Sequence, residues 1–185
     1  GAAVTIAANS VTLDLNGHAL RSNAAVNVTT RGVKVVGQKY FTIIDGTIAG
    51  FAEAVYVAAD TGDQPRGGLI ADLKVQRSYY YGLLVICDGC IVRDNMITDT
   101  KTPAAFAAYE PQALAVEGTG DRITGNRVFN TYPQTGHTGY AIAVGAANST
   151  IADNYVANDL LGTDPVYGLL ISGASDLLIG NQAQG

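Results

Sequence analysis

One block recurs four times in the second half of the chain, and it constrains the fold more than any other feature. GLLVICDGCIVRDNMITDT from Gly82, ALAVEGTGDRITGNRVFNT from Ala113, AIAVGAANSTIADNYVAND from Ala141 and GLLISGASDLLIGNQA from Gly168 align directly. Each is a short apolar strand, a small turn, a second apolar strand, a polar pair ending in asparagine, and a third short strand. Asn95, Asn126, Asn154 and Asn181 hold the same place in the four copies, at separations of 31, 28 and 27 residues. Weaker copies precede them: VKVVGQKYFTIIDGTIAGF from Val33, and the stretch from Val55 to Ser78. VTLDLNGHAL, from Val11, reads as an opening turn. A period of this length marks a solenoid whose units bury their apolar faces only by stacking.

The two-residue strand period says which side chains go inward. In the first strand these are Leu83/Val85, Leu114/Val116, Ile142/Val144 and Leu169/Ile171; in the second Val92, Ile123, Ile151 and Leu178; in the third Ile97, Val128, Val156 and Ala183. Three apolar columns along one axis give an all-β, right-handed parallel β-helix of about seven coils, roughly 35 Å long at the ~4.8 Å strand spacing. Helix is excluded as the general state. Valine, isoleucine and threonine dominate, glycine recurs, and no i, i+3, i+4, i+7 stripe persists. A β-sandwich has no reason to place asparagine at one position of four successive units. The asparagines are expected to form a stacked amide ladder.

Size and charge narrow the function classes. A chain of 185 residues makes one domain, 1–185, here expected to be complete or a fragment of something longer. No run of 18 apolar residues occurs, so no membrane-spanning helix is expected. The net charge of −5, with only four lysines and seven arginines, none clustered, argues against nucleic acid and against a polyanion. No cofactor or metal motif is present. Cys87 and Cys90 form C-x-x-C in CDGC, without the βαβ context of a redox site and too few for structural zinc. The favoured reading makes them small core or turn residues. His18, in the opening coil, is expected to cap the core.

The VTLDLNGHAL opening, the GTIAGF one coil later and the asparagine repeats together resemble the pectin-lyase-like superfamily of right-handed β-helices. Pectate lyases, polygalacturonases, mannuronate epimerases and phage tailspikes belong to it. The resemblance covers nearly the whole chain and implies the fold, an extracellular, periplasmic or virion-surface location, and a polysaccharide or oligosaccharide partner. It also implies that substrate lies along the outer face of the first sheet, beside the variable loops. These are Lys101–Gln112, Tyr132–Tyr140 and Asp159–Tyr167, all between the third strand of one copy and the first of the next. They should crowd one edge.

Tyr81, Tyr140 and Tyr167 stand just before the first strands, with Gln112 in the intervening copy. Such a row suits the apolar faces of sugar rings, or simply covers the sheet edge. Glu117, His137 and Asp164 are the acid–base candidates, for paired carboxylates or a histidine can move protons at a glycosidic bond. The alternative for each is a solvated glutamate, a loop histidine and a turn aspartate before proline. The enzyme motifs are incomplete. Only GHT stands where polygalacturonases have Gly-His-Gly, and Asp164-Pro165 keeps two residues of the epimerase Asp-Pro-His-Asp. The outward positions Leu84, Ala115, Ala143 and Leu170, then Ile86, Glu117, Gly145 and Ser172, are mostly small or apolar. The function is therefore read as carbohydrate-active or carbohydrate-binding. The alternative is a structural module, such as a tailspike-like homotrimer stem with that apolar row as its interface.

Overall fold

The computed structural model describes residues 1–23, 27, 29–60, 62–158 and 164–185. One strand from each coil builds the first sheet, seven strands in chain order: Ala2–Ile6, Arg31–Val36, Glu53–Ala58, Tyr81–Asp88, Gln112–Thr119, Gly139–Val144 and Val166–Ile171. Every pairing is parallel, and the register aligns Val33, Val55, Leu83, Leu114, Ile142 and Leu169. The expected adjacency of the four repeats is therefore present. The chain is an all-β right-handed parallel solenoid of about six full turns, close to the expected seven. VTLDLNGHAL supplies the second and third strands of the first coil, Thr12–Asp14 and Ala19–Arg21. His18 does not cap the core by its side chain: it is exposed, and its backbone bonds Leu15 and Thr47.

The opposite wall begins as two continuous strands, Thr42–Ala49 and Leu69–Gln76. From the next coil on it divides into two short strands per coil, such as Ile91–Arg93 and Met96–Lys101. At the division the backbone turns through a left-handed residue, stacked coil on coil as Asp45, Asp72, Asp94, Gly125, Asp153 and Gly180 (φ 53° to 67°). Aspartate and glycine tolerate that conformation, while the β-branched residues that flank it do not. The kink is thus written into the residue preceding each asparagine.

The asparagine column then fixes the coil spacing. Asn95 Oδ1 accepts from the Leu73 N–H at 3.1 Å, Asn126 Oδ1 from the Asn95 N–H at 3.2 Å and its Nδ2 at 3.0 Å, and Asn154 Oδ1 from the Asn126 N–H and Nδ2, both at 3.0 Å. Asn181 continues the series onto Asn154. Each Nδ2 also donates to a strand carbonyl: Ile70, Val92, Ile123 and Ile151 in turn. Asn95, Asn126 and Asn154 are buried, so these bonds replace water that cannot reach them. Inside this polar corner the inward columns are almost wholly buried, each Val, Ile or Leu contributing about 1.5–3 kcal/mol.

A second column controls the first sheet's entry corner. Gly32, Ala54, Gly82, Ala113, Ala141 and Gly168 occupy equivalent places, and a Cβ at Gly82 would collide with the Ala113 carbonyl oxygen. Only the smallest residues let successive coils approach there.

Asn126→Ala should lower stability by about 2–4 kcal/mol, because it orphans the buried Asn95 amide and the Val92 carbonyl together. Urea unfolding with an unchanged midpoint would show that the ladder carries no weight.

Candidate functional site

The outer face of the first sheet carries a row of side chains in register: Arg31, Glu53, Tyr81, Gln112, Tyr140 and Tyr167. Its first part is closed by charge. Arg31 pairs with Glu53 and lies with its guanidinium 3.6 Å from the Tyr56 ring centroid. Tyr56 donates to Asp60 at 2.8 Å, and Lys34 bonds Asp60 at 2.6 Å. Burial pushes the Glu53 carboxyl up, with the Arg31 bond opposing it, while the Lys34 and Tyr56 bonds hold Asp60 below its ordinary value. These groups satisfy one another, leaving little for a ligand.

The second part of the row is aromatic. Tyr140 and Tyr167 stack with centroids 5.6 Å apart and planes at 12°, and Tyr167 is 52% exposed. Tyr81 packs on Tyr80 at 4.0 Å and donates to its hydroxyl at 3.2 Å. Tyr80 meets Tyr109 edge-on at 5.1 Å, and Tyr109 meets Phe106. Phe106 ends a short 3-10 turn, Ala104–Phe106, within the loop that leads to Gln112. Burial raises the Tyr81 hydroxyl pKa, with help from the Tyr80 bond and the charge of Glu117. Tyr140 is raised by burial and by Glu110, which also accepts its hydroxyl. Glu110, Tyr80, Tyr109 and Phe106 belong to this site although nothing in the repeat pattern marks them.

The loops do gather at one edge. Gln134 Nε2 bonds the Thr102 carbonyl, the Tyr140 N–H reaches the Pro111 carbonyl at 2.9 Å, and Asp164 Oδ1 accepts from the Gly136 N–H at 2.8 Å. Asp164 is thereby held beside His137, which closes a turn onto the Gln134 carbonyl at 2.9 Å. Residues 159–163 of the third loop lie outside the described residues. Glu117 is exposed on the strand Gln112–Thr119, and the register separates it from Tyr140. Tyr140 pairs with Gln112, whereas Glu117 is five positions further along, about 15 Å at ~3.3 Å per residue. The neighbour of Glu117 is Gly145. Sequence order placed Tyr140 just before the next strand, but adjacent strands share only their equivalent ends. Among the described residues no hydrogen bond or ion pair joins Glu117, His137 and Asp164 to one another.

No family model, curated protein or solved structure matches the chain. The geometry of the chain itself therefore carries the functional reading. Among the described residues no three His, Cys, Asp or Glu side chains converge as metal ligands would, and no helix is long and apolar enough to cross a membrane. The apolar outer row is already partly covered within the chain, since Leu84 is only 8% exposed.

Cys87 and Cys90 are buried as expected, but they are joined in a disulfide across the turn, with Cα atoms 5.9 Å apart. The next coil shows what this bond replaces. Gly118 stacks on Cys87, and Asp121 Oδ1 accepts from the Cys90 N–H at 2.7 Å. A Cβ at Gly118 would strike the Cys87 carbonyl and lie 3.2 Å from Asp121 Oδ2, so the carboxyl fills the room that glycine leaves. Ser149 and Asp176 continue the column, each accepting a backbone N–H from the coil before. Asp121 is 2% exposed and its Oδ2 has no partner in the chain. Burial pushes its pKa up to about 7, against the Cys90 bond.

That shift has a definite sign. An unfolded aspartate releases its proton near pH ~3.9, whereas folded Asp121 keeps it to about 7. Between those values the native state binds the extra proton, so the contribution of Asp121 to stability falls as pH rises through the window and is level above it. Asp121→Asn keeps the acceptor for Cys90 and removes the titration. Its melting temperature relative to wild type should rise steadily from pH 4 to pH 7 and then stay constant. A difference independent of pH would show that Asp121 is already ionised in the fold.

Proposed function

We propose that the chain is a carbohydrate-binding β-helix of the pectin-lyase-like kind, working outside the cytoplasm, with saccharide laid across the tyrosine edge of the first sheet. The observation that carries this reading is the exposed Tyr140–Tyr167 stack, continued through Gln112 to the Tyr81, Tyr80 and Tyr109 group. Parallel phenol rings offer flat apolar faces for sugar C–H groups, and their hydroxyls offer hydrogen bonds at the rim. Gln112, Glu110, His137 and Asp164 stand at the same edge as polar partners. The disulfide supports an oxidising compartment, where such bonds persist.

Binding is favoured over bond cleavage. A hydrolase needs two carboxyl groups facing one glycosidic oxygen. Here Glu117 stands well along the strand from Tyr140, and Asp164 has one oxygen engaged by the Gly136 amide. Within this reading Glu117 meets sugar only where a ligand extends along the sheet past Tyr81, whose hydroxyl already feels its charge.

A screen of neutral and acidic oligosaccharides against the chain should find a ligand. Tyr167→Ala should weaken its binding by about 1 kcal/mol or more, the scale at which truncating a contact residue becomes significant. Glu117→Gln should change binding by less than Tyr167→Ala does. Failure of every saccharide to bind, or binding that survives the loss of Tyr140 and Tyr167 together, would overturn the reading.

A further inference from the structure

A second depression lies at the neighbouring corner, where the third strand of one coil turns toward the first strand of the next. Arg77, Asp99 and Asn130 stack there as left-handed residues (φ 54°, 57° and 58°), the Arg77 N–H bonding the Thr98 carbonyl at 3.0 Å. The Lys101 N–H bonds the Ser78 carbonyl at 2.8 Å, and Lys101 is the register partner of Tyr132. Between these segments is a hollow of about 520 Å³, lined by Arg77, Ser78, Tyr79, Asp99, Lys101 and Tyr132.

Its chemistry is unlike that of the rest of the surface. Among the described residues neither Arg77 nor Lys101 forms an ion pair, and the Lys101 ammonium stands 5.7 Å from the Tyr132 ring centroid. Asp99 holds only a long contact, 3.4 Å, from Asn130 Nδ2. Ser78 is 1% exposed, and its hydroxyl finds no partner in the chain. A buried hydroxyl left unbonded is costly, and at the wall of a hollow it points to a ligand group that completes it.

We infer that this corner binds a single anionic sugar unit, a hydroxylated ring bearing one carboxylate or sulfate. Arg77 and Lys101 take the anion, with Asp99 leaving the site one positive charge in excess. Tyr79 and Tyr132 provide ring faces, and Ser78 and Asp99 bond hydroxyls. The hollow is of the size that encloses one small ligand. The chain's net charge of −5 and its scattered cations make the corner a site for one charge rather than a track for a polyanion. The sugar ring rests on the carbohydrate reading above; the anion rests on Arg77 and Lys101 alone.

Amide-resolved NMR titration of the whole chain tests this with glucuronate, glucose 6-sulfate, glucose and inorganic sulfate as probes. Glucuronate or glucose 6-sulfate, or both, should shift the Ser78, Lys101 and Tyr132 resonances, the pair telling carboxylate from sulfate preference. Glucose and bare sulfate should bind at least tenfold more weakly, and added salt should weaken the acidic sugars. Lys101→Gln and Arg77→Asn, the latter tolerant of left-handed φ, should each cost tenfold or more in affinity at unchanged melting temperature. Tyr167→Ala should leave acidic-sugar binding intact. Equal binding of glucose, full affinity in Lys101→Gln, or shifts confined to Tyr140 and Tyr167 would overturn the assignment. Loss of neutral oligosaccharide binding with acidic monosaccharide binding retained would remove the tyrosine-edge reading and leave this one standing.

Discussion

The buried amide column from Asn95 to Asn181 is the interaction on which the rest of the solenoid depends. Each amide accepts from one coil and donates to a carbonyl of another, so it works as a spacer that cannot slip by a residue without orphaning buried groups. Hydrophobic stacking alone is tolerant of small slips, since any Val or Ile covers any other. The polar corner removes that tolerance and makes the inward columns stack in one register. Where the ladder begins, at Asn95, the continuous wall strands Thr42–Ala49 and Leu69–Gln76 give way to separate short ones.

The second polar column, through Cys90, Asp121, Ser149 and Asp176, performs a similar task with less uniform chemistry. Four different side chains stand at one site because the requirement is only an acceptor, or a bridge, over a tight turn. Asp121 meets it at a cost, since one carboxyl oxygen is buried without a partner and the group holds its proton toward neutrality. The disulfide meets it covalently. Seen this way, CDGC is the variant of a structural position and needs no redox role to account for it.

A framework fixed so firmly leaves the edges free to vary. The loops between third and first strands project from one side, and both candidate binding surfaces are built there. One is the tyrosine edge, where aromatic rings repeat at coil spacing along the sheet. The other is the corner hollow, where two cations remain unpaired beside two phenols. They are consecutive along the chain through Ser78, Tyr79, Tyr80 and Tyr81, so a branched or acidic glycan could reach both.

The sequence by itself determined the coil. Strand periodicity and the asparagine at one place in four copies sufficed for the inward residues, the parallel pairing and the ladder, because these depend on spacing within a repeat. It also placed the tyrosine row, since Tyr81, Tyr140 and Tyr167 hold one repeat position. Only the tertiary structure decided what lies beside what on the surface. Glu117 was grouped with Tyr140 by chain order, yet register puts them at opposite ends of adjacent strands. Glu110 beneath Tyr140, the Cys87–Cys90 bond and the pairing of Arg77 with Lys101 across a coil carry no repeat signature. The physical reason is that contacts between coils join residues about one coil apart, across loops of unequal length. Their meeting is set by where each loop returns the chain to the lattice, and no local pattern encodes that return.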